Sequence, residues 1–389
     1  MTEMRDWVIL QGPETITEDA SFRMSADTAA EASIISERVP DKAIADLIKD
    51  PRTLEAAPEM PIVLIEPVAV TGGSGGSGGA GGTWGIGAVG ADASSHDGRG
   101  VKVAVLDTGI DKNHPAFAGI QFDEKDFSGS GNGDRNGHGT HCAGTIFGRD
   151  VGGQRIGVAR GVDQALIGKV LNDSGRGNTL GMFFGMQWAA ERGAHIISMS
   201  LGFDTPGLIA RLVADGWPAQ MAAAVGIDTY RRNIRLFDKQ IELLEAMEDH
   251  GKGPLVVAAS GNESGRDVDP RYRIPASLPA CAKGVVSVGA LMQASGGLQI
   301  ANFSNSLPRV SAPGVDILSA WPGGGLKSLN GTSMACPHVA GVAALWWQAT
   351  GSMASQSFIR SKVEASGNVG ALAPGYDHSD VGAGLVQSP

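Results

Sequence analysis

Apolar runs alternate with polar turns along most of this chain, and their spacing separates strands from helices. Val101 to Gly109 is a β-branched run ending in a turn, which predicts a buried strand. Gln164 to Leu171, His195 to Gly202, Pro254 to Ser260 and Gly284 to Leu291 read the same way. Helical stretches fall between them: Gly137 to Ile146 reads as a loop entering a helix, and Leu180 to Arg192 as a full helix. Strands alternating with helices imply a parallel sheet covered on both faces, hence an α/β fold. Ile234, Phe237, Ile241 and Leu244 recur at helical spacing and predict a strongly amphipathic helix.

The first 70 residues follow another pattern. A short strand, Trp7 to Leu10, precedes a polar, turn-rich stretch and a helical pattern around Ile35 to Ile48. Its apolar stripe is Ala43, Ile44, Leu47 and Ile48, stopped by Asp50 and Pro51. The apolar run Pro61 to Val70 is a further strand candidate. The stretch TGGSGGSGGAGG, Thr71 to Gly82, cannot bury apolar surface and predicts a flexible coil. The expected organisation is therefore a leading segment over 1–70, a linker over 71–83 and a body over 84–389.

Length and composition narrow the classes without choosing among them. The 389 residues suffice for one large domain or two smaller ones, and 57 glycines imply many tight turns. A net charge of −10 argues against nucleic acid or an anionic membrane as partner. No run of about 18 apolar residues is present, so no membrane span is expected. The start, MTEMRDWVILQ, lacks the basic opening and long apolar run of a secretory signal. The three cysteines, Cys142, Cys281 and Cys336, have no metal-binding spacing. Both features lead us to expect a cytoplasmic protein with reduced thiols.

Three short segments carry candidate chemistry. Asp107 closes the first body strand, where open α/β sheets place ligands. His138 lies in Asn136-Gly-His138-Gly-Thr-His141, a glycine-rich turn entering a helix. Ser333 lies in Asn330-Gly-Thr-Ser333-Met-Ala-Cys336-Pro-His338 and opens a helix of small residues, a place where it could also serve as N-cap. A serine hydroxyl needs an adjacent base to become a nucleophile, and that base needs a carboxylate to fix its tautomer. The absence of H-E-x-x-H speaks against a metal pair at His138 and His141. G-T-S-M-A lacks the second glycine of the esterase elbow. The string GIGAVG, Gly85 to Gly90, follows a linker and not a strand, so it is no dinucleotide site.

The strings VAVLDTGID (Val103 to Asp111), NGHGTHCAGT (Asn136 to Thr145), VVAASGNES (Val256 to Ser264) and GTSMACPHVAG (Gly331 to Gly341) occur in that order. Together they make the stretch from Gly100 to Gln348 resemble the subtilisin-like serine proteases. The resemblance implies a three-layer fold with a mostly parallel central sheet, preceded by a small α+β segment like a pro-domain. It implies peptide-bond hydrolysis through an acyl-enzyme, with protein or peptide as substrate and no cofactor for catalysis. Asp107 would orient the base, His138 would be the base and Ser333 the nucleophile. Asn262 would donate its side-chain amide to the oxyanion beside the Ser333 N–H. Ser200, Leu201 and Gly202 with Ala259, Ser260 and Gly261 would wall the primary pocket. Ser174, Gly175 and Gly177 would form an edge that pairs with an extended peptide.

Further expectations attach to the same resemblance. A structural calcium is allowed but not located; Asp111 is a candidate ligand, while Gly148 to Gln154 does not resemble the usual calcium loop. Lys42 to Pro51 with Pro61 to Pro67 resembles the end of an inhibitory pro-domain, which makes the leading segment a partner of its own body in cis. Residues 204–252 exceed what one helix and turn need, and serve either as added core cover or as a rim element that docks a partner protein. Arg273 is expected to bias the pocket toward acidic side chains. Cys142 and Cys336 are expected to be inert buried thiols, or Cys142 a point of attack for thiol reagents. Two other readings stand beside the protease: a silent relative acting as scaffold, and an esterase or transacylase using the same groups.

Overall fold

The computed structural model describes residues 4–13, 32–40, 43–69, 83–250 and 253–389. The glycine-rich stretch expected to be a flexible linker lies outside the described residues, apart from Thr83. Along the chain run β1 (Met4–Gln11), β2 (Ser33–Pro40), α1 (Ile44–Lys49), β3 (Thr53–Pro58), β4 (Pro61–Leu64) and α2 (Trp84–Ala88). There follow β5 (Lys102–Asp107), β6 (Gln121–Asp126), α3 (His138–Phe147), β7 (Gln164–Lys169), β8 (Arg176–Asn178) and α4 (Thr179–Glu191). Next come β9 (Ile196–Met199), β10 (Leu201–Phe203), α5 (Thr205–Ala214), α6 (Ala219–Ala246), β11 (Leu255–Ala259), β12 (Val286–Ala294) and β13 (Gly297–Ile300). The last are β14 (Val310–Pro313), β15 (Ile317–Trp321), β16 (Gly325–Leu329), α7 (Thr332–Thr350), α8 (Gln356–Ala365) and α9 (His378–Val381).

The main sheet runs β6-β7-β5-β9-β11-β12, all parallel, with β14 parallel and β13 antiparallel on the outer side of β12. The inner strands β5, β7, β9 and β11 are buried on both faces and read as unbroken apolar runs, whereas the edge strand β6 is polar and half-exposed. Alternate residues still divide between two cores. Val103 and Val105 of β5 pack with α3 and α7, while Ala104 and Leu106 pack with α4 and α6. Leu255 and Val257 against Val256 and Ala258 make the same division in β11. The expected three layers are thus present.

The leading segment departs from expectation in three places: part of the helical pattern is β2, the strand β3 was not expected, and the strand at Pro61 ends at Leu64. Ile35 to Pro40 is strand, and only Ile44–Lys49 is helix. β2 pairs antiparallel with β1 from Met4↔Pro40 to Gln11↔Ser33, and β3 lies on the other side of β1. Ile34 faces the body and Ile35 faces α1, so a pair of adjacent isoleucines serves the two faces of a sheet; long-range pairing overrode the local helical pattern. A small core of Trp7, Ile9 and Ala56 forms beneath α1, and Val8, Leu10 and Ala57 join the core of α4 and α6. The insertion contributes to that seam: Asn233 Nδ2 on α6 donates to the Pro58 carbonyl at 3.0 Å.

The run His195 to Gly202 also divides. β9 stays in the main sheet, and after Ser200 the chain turns so that β10 pairs with β4. None of the described helices is long and apolar enough to cross a membrane.

Candidate active site

β5 delivers Asp107 to the carboxyl edge of the main sheet, and α3 begins at His138, directly above it. His138 Nδ1 lies 2.8 Å from Asp107 Oδ1 and 3.0 Å from Oδ2, with both residues buried. A carboxylate can only accept, so Nδ1 carries a proton, and Nε2 is the nitrogen that offers a lone pair when the ring is neutral. Nε2 has no hydrogen-bond partner among the described residues. Burial alone would favour neutral imidazole, but the Asp107 charge and hydrogen bond outweigh it and hold His138 well above its ordinary value.

Ser333 sits in the first turn of α7, where its N–H has no partner within the helix. The N-cap is Gly331, not Ser333 as the sequence allowed. The Ser333 hydroxyl does not point at His138. It donates to the carbonyl of Ile65 at 3.0 Å. Asn262 is held from behind: its Oδ1 accepts from the Thr332 N–H and hydroxyl, each at 2.9 Å. That fixes the amide, and Nδ2 faces the cleft, where it donates to the Glu66 carbonyl at 2.9 Å. Thr332 escaped the sequence reading; its place between a glycine and the serine was the available signal.

Ile65 and Glu66 follow β4, which lies in the cleft as the middle strand of an antiparallel β10-β4-β8 sheet. Leu64 pairs with Leu201, Val63 with Gly202 and Ile62 with Gly177. The Leu64 N–H donates to Gly175 at 2.8 Å, and beyond the serine Val68 exchanges two 2.8 Å hydrogen bonds with Asn330. Gly175, Gly177, Leu201 and Gly202 therefore flank an extended peptide. A Cβ at Gly202 would come within 3.6 Å of the Ile65 side chain, so Ile65 lies directly over that glycine. The other expected residues are near but engaged elsewhere. Ser174 stays in the preceding turn, bonded to Asn172, and Ser200 donates to the Ser333 carbonyl at 3.2 Å. Ala259 is buried, Ser260 binds Asn305, and the Gly261 N–H donates to Thr332 Oγ1 at 3.2 Å.

The profile of the subtilase family matches residues 98–383. The chain belongs to this family. It is 35% identical over 295 residues to the M-protease of Shouchella clausii (strain KSM-K16), a match covering 75% of this chain and 64% of that protein. It is 37% identical over 276 residues to an intracellular serine protease of Paenibacillus polymyxa, covering 69% of this chain and 71% of the relative. With Subtilisin Savinase of Lederbergia lenta it shares 37% identity over 251 residues, 64% of this chain and 76% of the relative. Among these subtilases the matched share of the relative thus runs from just under two thirds to about three quarters.

Other expectations meet specific geometry. Arg273 gives its guanidinium to Asp377 at 2.7 Å and Asp380 at 3.3 Å, so the charge expected to draw acidic side chains is already neutralised. Asp111 accepts from the backbone of Asn113 and Gly323 and belongs to no group of three candidate side-chain ligands among the described residues. The one such group is Asp107, His138 and Cys142, the Asp–His pair itself with a neighbouring thiol. His141 lies outside that group. Its Nε2 donates to the carbonyls of Ile317 and Lys327 at 3.0 Å, and burial pushes it down to about 3. Burial raises the Cys142 thiol and pushes Cys336 up to about 12, which makes both poor nucleophiles.

Proposed function

We propose that this chain is a serine endopeptidase whose cleft is closed in cis by residues 61–69 of its own leading segment. The observation that carries the reading is the Ser333 hydroxyl on the Ile65 carbonyl, within a strand held on both edges by the body. With a substrate strand in place of β4, Ser333 attacks the carbonyl set beside it and His138 Nε2 takes the proton. Asp107 stabilises the imidazolium. The Asn262 amide and the Ser333 N–H receive the oxyanion, preorganised by Thr332 and the start of α7. His138 then protonates the leaving amine, and water hydrolyses the acyl-enzyme by the same steps reversed.

At Ile65 the segment is poorly placed to react. The Asn262 donor that should meet the attacked carbonyl is taken by Glu66, one residue beyond Ile65, and His138 Nε2 makes no bond to Ser333. Attack on Ile65 would therefore develop negative charge without that donor, and without the base in contact. A strand bound with substrate contacts but misaligned chemistry acts as an inhibitor.

A fluorophosphonate probe with casein cleavage tests this reading. The intact chain should label slowly at Ser333, and a chain nicked in the glycine-rich stretch and freed of its leading segment should label faster and digest casein. Ser333→Ala should do neither. Absence of labelling in the freed body would overturn the peptidase, and equal rates before and after release would overturn the cis closure. Turnover of esters without peptides would favour the esterase instead.

A further inference from the structure

Two buried charged side chains next to the Asp107–His138 pair take no part in the chemistry above. Asp134 is 8% exposed and Lys169 is 1% exposed. A buried charge persists only where hydrogen bonds replace water, so its partners say what it holds. Asp134 Oδ1 accepts from the Thr108 hydroxyl at 3.0 Å, the Asn136 N–H at 3.1 Å and the Gly137 N–H at 2.8 Å. Its Oδ2 accepts from the Thr140 N–H at 2.9 Å and the Thr140 hydroxyl at 2.6 Å. These partners are not scattered. Thr108 follows Asp107 directly, Gly137 precedes His138, and Thr140 lies in the first turn of α3.

The same turn is held from other directions. The Thr108 N–H donates to Asp107 Oδ1 at 2.7 Å, so the residue that Asp134 grips also grips the Asp107 carboxylate. Thr108 Oγ1 in turn accepts from the Gly139 N–H at 2.9 Å, one residue past His138. Lys169 Nζ binds the carbonyls of Thr108 at 2.6 Å and Gly133 at 3.0 Å, with Asp173 as counter-ion at 2.7 Å. The two loops approach so closely that a Cβ at Gly109, itself at φ 105°, would lie 2.2 Å from the Gly133 oxygen.

We propose that Asp134 is a positioning residue for the Asp107–His138 pair: its carboxylate ties the turn after Asp107 to the first turn of the helix carrying His138. It thereby fixes the separation across which Nδ1 donates. Asp107 and His138 come from different elements, and Asp134 bonds the hydroxyl of Thr108 beside Asp107 as well as the Gly137 and Thr140 N–H groups beside His138. Its effect on catalysis rests on the peptidase reading, while its effect on geometry does not.

The test uses the full chain. The Nδ1 proton shared with Asp107 gives a far-downfield NMR resonance, assigned by its loss in His138→Ala. Asp134→Asn keeps the side chain's shape but presents an amide NH2 to donors. The resonance should move upfield or broaden away while unfolding stays cooperative. Labelling of Ser333 should slow about ten- to hundredfold, the range found when outer partners of metal-bound histidines are removed. A resonance at the wild-type position overturns the proposal whatever the labelling does. If Asp134→Asn does not fold, Asp134→Glu, which keeps the charge but displaces the carboxylate by one methylene from its five donors, decides by the same resonance. A wild-type chain that never labels would count against the peptidase and leave the resonance to decide the positioning role.

Discussion

β3 and β4 are separated by two residues, yet they belong to different structures. β3 completes the small sheet with β1 and β2, whose Trp7, Ile9 and Ala56 make a core of their own. β4 has no partner in that sheet; its hydrogen bonds go to β8 and β10 of the body, and Ile62 is fully buried there. The sheet is a folded unit docked by one face. The strand is a peptide in a cleft, and without it the facing edges of β8 and β10 would lack their backbone partners. On the proposed reading, closing the cleft falls to β4, and the sheet keeps β4 near.

If that division is right, damage to the strand should open the cleft more than damage to the sheet. Ile62→Asp removes burial worth about 1.5–3 kcal/mol and places a charge among apolar neighbours. Labelling of Ser333 in the unnicked chain should rise by at least about tenfold, since about 1.4 kcal/mol is a factor of ten. An unchanged rate would mean that residues beyond β4, such as Val68 on Asn330, close the cleft alone.

Trp7→Ala attacks the sheet instead. Removing a buried tryptophan costs about 3–5 kcal/mol, enough to unfold a three-stranded sheet with so small a core. Limited proteolysis should then cut within β1–β3 while the body resists. Labelling should rise only severalfold, because β4 keeps its register and remains tethered through the following linker at high effective concentration. A rise as large as that of Ile62→Asp would assign the closure to the sheet.

The two regions also differ in how far the sequence revealed them. Most of the body was legible because its inner parallel strands are buried on both faces and read as apolar runs, and because Asp107, His138, Asn262 and Ser333 stand in short strings; the polar edge strand β6 left no such run. β2 was misread because Ile34 and Ile35 serve opposite faces of a sheet, a pattern that local spacing cannot tell from a helix stripe. The apolar run from Pro61 forms a strand only as far as Leu64, and nothing in its letters says which sheet it joins. Asp134 passed unnoticed because its role lies in five contacts to three loops and helix turns, none of which leaves a periodic trace. Arg273 misled for the reverse reason: its charge is visible in the sequence, while Asp377 and Asp380, which cancel it, lie about a hundred residues away.

The smallest predicted effect lies on the seam between sheet and insertion. The Arg232 guanidinium of α6 sits over the Trp7 ring at 5.7 Å while its Nε holds Asp228 at 2.8 Å. Such a contact contributes about 0.5–1 kcal/mol at an exposed site, so Arg232→Ala should raise labelling of the intact chain about two- to fivefold. Arg231 also pairs with Asp228, at 2.5 Å, but makes no ring contact with Trp7. Arg231→Ala removes the same charge from the same helix and should leave the rate unchanged. Equal rises in the two variants would trace the effect to the charge pairs of α6. A rise confined to Arg232→Ala would show that the insertion, through one ring contact, helps to retain the sheet that keeps β4 in place.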